Sequence, residues 1–223
     1  MIMLGYYLLV IVIGYLCGCF ESGYYISKMM LGKDVRDYGS HNSGSTNMLR
    51  VFGWKYGLLT LLGDTLKAFI PMMLVKYLLI PKLGLAQGSL HRDMILLVMG
   101  FAAVIGHNYP VNLKFKGGKG SATTGAVMMA YDWRMGCCCI LVFLAVVLLT
   151  RYVSLASMTY SAAIVIEMAI FHPKWQLILF SVLFPIFSIY RHRANVGRLL
   201  SGTESKIGQK ASAEKSDKDK KDS

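Results

Sequence analysis

Long stretches of this chain carry no charge at all. Residues 1–20, 69–75 with their neighbours, 94–105, 136–150 and 177–190 are almost wholly apolar. A helix crosses the hydrocarbon core of a bilayer in about 20 residues, or about 17 at the short end. Of the 223 residues, 55% are hydrophobic, and the mean hydropathy is +0.48. That is too apolar for an ordinary soluble domain. The chain reads as an all-α polytopic membrane protein, one helix bundle with little soluble mass. No Lys or Arg precedes the first apolar run, and no small-residue cleavage signal follows it. The run is therefore expected to be a retained span rather than a signal peptide.

Seven spans are expected, over residues 3–20, 56–79, 94–108, 122–131, 135–150, 158–171 and 175–190. The fourth is short. Pro81 and Pro110 close the second and third. The net charge is +12, and its placement is the informative part. Lys28, Lys33, Arg36 and Arg50 fall in the first connection, Lys114, Lys116 and Lys119 in the third, and Arg151 in the fifth. Arg191, Arg193 and Arg198 follow the last span, on the same side by parity. The opposite side has the scattered Lys82, Arg92, Arg134 and Lys174. The positive-inside rule then puts the N-terminus outside and the C-terminus in the cytoplasm. The basic residues show no interleaved aromatic face, so no nucleic-acid partner is expected. Cys17, Cys19, Cys137, Cys138 and Cys139 sit inside apolar spans without metal-ligand spacing and read as packing residues. One transmembrane domain over residues 1–204 is expected, followed by a charged tail, 205–223, too polar to order itself.

The loops on the proposed cytoplasmic face carry the chemistry. Residues 114–123 read KFKGGKGSAT. Gly117, Gly118 and Gly120 let successive backbone N–H groups turn together as an anion-holding nest, and Lys114, Lys116 and Lys119 add charge. A helix beginning at Ser121 would aim its positive end at the same spot. Residues 39–50 read GSHNSGSTNMLR. Ser40, Asn42, Thr46 and Asn47 can hydrogen-bond a ligand, and Arg50 offers a planar fork for phosphate. His107 ends the third span. His192 and Asn195 are three residues apart, as are Ser154 and Ser157, so each pair shares a face if helical. Asp64 and Lys67 share a helix face inside an apolar span and can pair. Glu21 and Glu167 have no partner legible in the sequence. There is no G-x-S-x-G elbow, no H-E-x-x-H or H-x-E metal pattern, no H-x-x-x-x-D box and no Walker spacing. The loops offer a phosphate cradle without an obvious side-chain nucleophile.

Four stretches together resemble the bacterial acyl-phosphate-dependent glycerol-3-phosphate acyltransferases, a small integral-membrane family. They are DVRDYGSHNSGSTNMLR (34–50), GHNYPVNLKFKGGKGSAT (106–123), RYVSLAS (151–157) and RHRANVGRLLSGTE (191–204). They occur in the family's order. Two departures stand out. Gly18-Cys19-Phe20-Glu21-Ser22 replaces a Gly-Ser-x-Pro-[Ser/Thr] pattern, and GSHNSGSTN replaces GSGN-x-GATN, with His41 for Gly and Ser45 for Ala. The resemblance implies acyl transfer from acyl phosphate to the 1-hydroxyl of sn-glycerol 3-phosphate, giving lysophosphatidic acid and phosphate. It implies a bacterial plasma membrane and a monomer or weak homo-oligomer. No cofactor or metal is implied.

On this reading Lys116, Lys119, Arg50, Ser40 and the glycine loops hold phosphates and the developing oxyanion. Ser154 or Ser157 assists, while His192 and Asn195 orient the glycerol. Gly39, Asn42, Gly44, Thr46 and Asn47 are expected to contact substrate from the first loop. Gly117, Gly118, Gly120, Ser121, Thr123 and His107 do so from the second, with Arg151 and Arg193 at the remaining two. The alternative class is a membrane transporter of a phosphorylated solute. Against it, the polar loops share one face, whereas alternating access needs a midplane site, and no inverted repeat is visible.

Overall fold

The computed structural model describes residues 2–209 and is all-helical over them. Helix α1 (Ile2–Gly18) leads through a sharp joint into α2 (Ser22–Leu31). A single turn, Val35–Asp37, precedes α3 (Ser45–Phe52). Helix α4 (Trp54–Leu74) continues through a wide turn, Val75–Leu79, into α5 (Ile80–Lys82). Then come α6 (Leu90–Asn108), α7 (Ser121–Tyr131), α8 (Trp133–Thr150) and α9 (Val153–Phe171). The chain ends in α10 (Trp175–Ser181), α11 (Leu183–Arg191) and α12 (Arg193–Leu200).

Each of the seven expected spans is helical, but their lengths differ. Five helices among the described residues are long and apolar enough to cross a membrane. A sixth appears if Trp175–Arg191 and Arg193–Leu200, bent by 63° at His192, count as one. The segment expected as a fourth span is α7, with 11 residues. At about 1.5 Å per residue it reaches about 16 Å, roughly half the hydrocarbon core. The stretch expected as a polar connection, 28–55, is more than half helical, because it holds the end of α2, the Val35–Asp37 turn, α3 and the start of α4.

Helix α6 is the axis of the bundle: 72% of its span is buried, against 17% for α8. The other spans turn apolar side chains outward, among them Leu8, Leu16, Leu148, Leu149 and Ile170. Lipid is as apolar as those side chains, so helix association rests on close packing rather than on hiding them from water. Glycine supplies that packing. Gly14 and Gly18 of α1 lie against the backbone carbonyls of Met99 and Ala103 in α6, and Gly106 of α6 lies against that of Tyr15. None of the three has room for a Cβ. On the far side, Phe101 packs edge-on against Phe180, Phe184 and Phe187.

Several polar side chains inside the bundle find partners. Glu167 accepts the Cys139 thiol at 3.5 Å. At the end away from the glycine loops, Asp132 caps α8 and meets Arg134 and His172 at 2.7 and 2.9 Å. Beyond α12 the first residues of the expected tail are placed. Ile207 N–H donates to the Arg151 carbonyl at 2.8 Å, and Arg151 returns a bond to the Ile207 carbonyl. Residues 210–223 of the expected tail lie outside the described residues.

The α1–α6 contact makes a direct test possible. Gly18→Val should force the two helices apart at a cost of about 1–3 kcal/mol, the usual range for overpacking. Thermal unfolding in detergent should show a lowered midpoint, whereas Gly5→Val, where a side chain meets open space, should leave it unchanged.

Candidate active site

The end of the bundle that carries the glycine loops opens into one cleft of about 2010 Å3. Residues from all four motif stretches line it.

The first stretch is folded around Asn47. Its amide nitrogen donates to the carbonyls of Val35, Tyr38 and Asn42, at 3.2, 3.0 and 2.9 Å. Its amide oxygen accepts the Ser40 N–H at 2.9 Å. Asn42 closes a small turn by accepting the Gly44 N–H. Gly39 has φ +60° and lies so close to the Asn47 side chain that a Cβ would not fit. His41 also adopts a left-handed φ of 54°, a region that favours glycine. A bond between its Nδ1 and the Arg36 carbonyl, at 3.0 Å, helps hold it there. The result presents Ser40, Thr46 and Arg50 to the cleft, with the N-terminus of α3 facing the same space.

The second stretch is held from below and from behind. Gly118 N–H donates to the His107 carbonyl at 3.0 Å. Gly117 and Gly118 fit under His107 and Pro110 without space for a side chain. Arg191, stacked on Tyr109, donates to the carbonyls of Gly117 and Gly118 at 3.1 and 2.6 Å. Gly120, with φ +83°, turns the chain into α7, whose first N–H groups have no acceptor in their own helix. Lys119 reaches into the cleft, where its ammonium donates to Asn195 Oδ1 at 2.6 Å. Burial above all, then the nearby Arg198 guanidinium, pushes the Lys119 pKa down to about 8, against the pull of Glu204.

The third and fourth stretches meet at Glu204. Its carboxylate accepts from Ser154 Oγ and Asn195 Nδ2, both at 2.6 Å, and from Arg198 Nε at 2.7 Å. Burial opposes ionisation, but these three bonds hold the carboxyl below its ordinary range. Ser157 bonds back to the Val153 carbonyl. His192 Nδ1 lies 2.8 Å from the Ser188 carbonyl. A carbonyl only accepts, so this bond places the proton on Nδ1 and leaves Nε2 with a lone pair.

The structure therefore brings together Gly39, Ser40, Asn42, Gly44, Thr46, Asn47 and Arg50 with Lys119, Gly120 and Ser121. His107, Ser154, Ser157, His192 and Asn195 join them. Six expected residues stand elsewhere. The Lys116 side chain is exposed, and only its carbonyl is engaged, by Arg36. Gly117 and Gly118 support the loop instead of lining the cleft. Thr123 is buried beneath it, donating to the Asp64 carbonyl. Arg151 caps α8 and clasps Ile207. Arg193 turns outward over Tyr190. Arg198, Glu204 and Tyr160 also line the cleft and were not singled out from the sequence. Arg198 and Glu204 lie inside the fourth motif, but nothing local marks them as facing inward.

Beneath the polar floor the cleft continues as an apolar lobe. Leu61, Leu62 and Phe69 of α4, Met129 of α7, and Ile140 and Phe143 of α8 form its walls. The chemistry available is thus the binding of an anionic head by Arg50, Lys119 and Arg198 beside a channel suited to a hydrocarbon tail.

Comparison with known proteins identifies the family. The model of the family "Glycerol-3-phosphate acyltransferase" matches residues 8–202. A glycerol-3-phosphate acyltransferase of Thermoanaerobacter sp. (strain X514) is 40% identical over 205 residues, 92% of this chain and 98% of that protein. One from Fusobacterium nucleatum is 39% identical over 197 residues, 88% and 96% of the two chains. The crystal structure of PlsY (YgiH), described as an integral membrane glycerol 3-phosphate acyltransferase in its glycerol 3-phosphate form, superposes with a TM-score of 0.79. It is 36% identical, over 91% of this chain and 96% of that one. The lysophosphatidic acid form of the same enzyme gives 0.76. Sequence, fold and the cleft that gathers the four motifs all place this chain in the glycerol-3-phosphate acyltransferase family, as a multi-pass membrane protein.

Proposed function

We propose that this protein transfers a fatty acyl group from acyl phosphate to the 1-hydroxyl of sn-glycerol 3-phosphate, at the cytoplasmic face of a bacterial plasma membrane. The bundle then has seven membrane-embedded helical segments, α7 being the short one, with its basic loops inside the cell and its N-terminus outside. The catalytic domain ends near residue 204 and the charged tail follows it. One observation carries the reading: a single cleft joins an anion-binding head, with Arg50, Lys119 and Arg198, to an apolar lobe between α4, α7 and α8. A transporter has no need of that pairing, whereas a lipid-forming transferase must hold both ends of its donor.

In the reaction the glycerol hydroxyl oxygen attacks the acyl carbonyl carbon, and the carbon–oxygen bond to phosphate breaks. The leaving group is already good, so catalysis rests on placement and charge stabilisation. Lys119, Arg50 and Ser40 hold the phosphates and the developing oxyanion. Asn195 and His192 orient the glycerol, with Ser154 and Ser157 beside them. The hydroxyl proton passes to the bare Nε2 of His192 or to the substrate's own phosphate. No covalent acyl-enzyme forms.

Purified protein given palmitoyl phosphate and labelled glycerol 3-phosphate should make lysophosphatidic acid without CoA or acyl carrier protein. No product, or solute flux across proteoliposomes in its place, would overturn this assignment. Lys119→Ala should lower kcat/KM by about 100-fold or more, the usual cost of losing a charge-stabilising donor.

The pH profile supplies a second check. Lysine is charged below its pKa, so kcat/KM should hold up to about pH 8 and then fall as Lys119 loses its proton. Bound phosphate favours the charged ammonium, so kcat at saturation should fall only at higher pH. Lys119→Arg should remove the alkaline fall in whatever activity it retains.

The lobe can be tested by chain length. Gly125 lines it with open space beside its Cα. Gly125→Leu should lower activity with palmitoyl phosphate several-fold more than with an eight-carbon donor, read as a ratio of kcat/KM values.

A further inference from the structure

The most heavily charged buried site lies just under the cleft, and the mechanism above makes no use of its central residue. Glu21 sits in the joint between α1 and α2, at the position that would cap α2. Its side chain makes no cap bond and turns inward instead. It is fully buried. Oε2 accepts the Ser43 hydroxyl at 2.5 Å. Oε1 lies 2.8 Å from His107 Nδ1 and 3.5 Å from Lys67 Nζ. Lys67 in turn meets Asp64 at 3.0 Å and donates to the Phe20 carbonyl at 2.6 Å. An isolated carboxylate at this depth would be costly, and these partners make it tolerable.

Two of the three partners of the Glu21 carboxylate, Ser43 and His107, lead to different loops. Ser43 lies in the loop that presents Ser40 and Arg50, and its backbone is pressed against Gly23 of α2. His107 carries the other loop: its carbonyl accepts the Gly118 N–H, and its Nε2 edge rests where a Gly118 side chain would be. Gly118 immediately precedes Lys119. A short path of contacts thus runs from the Arg50 loop through one carboxylate to the Lys119 loop. The exposed bond from Arg36 to the Lys116 carbonyl is a second tie at the surface.

We infer that Glu21 is a positioning residue, a buried strut that sets the distance between the two anion-holding loops. The kinetic part of this inference rests on the acyltransferase reading above; the mechanical part does not. A glutamine fits the same role, since its amide oxygen can accept from Lys67, whose ammonium also lies 2.6 Å from His107 Nδ1, while its NH2 donates to Ser43. A leucine keeps the bulk and loses the contacts to Ser43, His107 and Lys67.

The experiment measures hydrogen exchange and steady-state kinetics on the full chain in detergent. Glu21→Leu should speed exchange in residues 39–47 and 114–120 together, and lower kcat by about 10–100-fold, the scale of a small misplacement of reacting groups. Glu21→Gln should restore kcat to within a few-fold of the unaltered protein and leave both loops protected. Ser43→Ala should speed exchange in 39–47 alone, and its kinetic effect should not add to that of Glu21→Leu. Leucine kinetics equal to the unaltered protein, exchange changed in neither loop or in only one, or a glutamine variant as impaired as the leucine one would each overturn the strut. If Glu21→Leu fails to fold, Ser43→Ala and Glu21→Gln still decide, by exchange in 39–47 and by retained kcat. A lack of product from the unaltered protein would defeat the acyltransferase reading, while the exchange results would still judge the strut.

Discussion

An unpartnered charge at the edge of a hydrocarbon layer is expensive, and among the described residues two of the cations that line the cleft, Lys119 and Arg198, are fixed by neighbouring side chains before a ligand arrives. Lys119 is held by Asn195, Asn195 and Arg198 by Glu204, and the Lys119 loop by Arg191 and His107. Beneath them Lys67, Asp64, Glu21 and His107 lie in contact as one buried polar cluster. Such prior fixing is what electrostatic catalysis needs, because the site then does not have to reorganise as charge develops. The same bonds also let polar loops sit on an apolar bundle.

Glycine does two different jobs in this framework. Within the spans, Gly14, Gly18 and Gly106 bring α1 and α6 to backbone contact, which lipid-embedded helices need because apolar burial gives them little drive to associate. In the Lys119 loop, Gly117 and Gly118 are flat enough to slide beneath His107, and their carbonyls turn toward Arg191. Of this loop, Lys119, Gly120 and the start of α7 are left to face the cleft. A glycine-rich run therefore serves mainly as a thin spacer, and the part of it that faces the cleft is narrower than the run itself.

Much of the site was legible because the motifs are local. Arg50, Lys119, His192 and Asn195 were chosen for their chemistry, and all four line one cleft. The residues misplaced from sequence share a reason. Lys116, Arg151 and Arg193 have the right charge in the right stretch, yet the loop or helix geometry turns each outward. Asn47 was read as a ligand donor; its four bonds go to the backbone of its own loop, although it also borders the cleft. Glu204 was passed over because a single acid among basic residues says nothing of the three partners that gather round it. The span count shows the same limit. Composition identifies α7 as apolar, but its 11 residues are short for a crossing.

What the sequence settled by itself was the class of molecule and the inventory of its chemistry. Uncharged runs long enough to span hydrocarbon dictate a helical bundle, since helices satisfy their own backbone hydrogen bonds where no water can. Motif spacing then names the groups available. Only the tertiary structure decided which groups meet. The partners of Glu21 lie at Ser43, Lys67 and His107, and those of Glu204 at Ser154, Asn195 and Arg198. Most of these pairings join segments far apart in the chain, and no local period encodes them. They exist because the bundle packs closely enough that each buried charge has to find an opposite charge or a hydrogen-bonding partner.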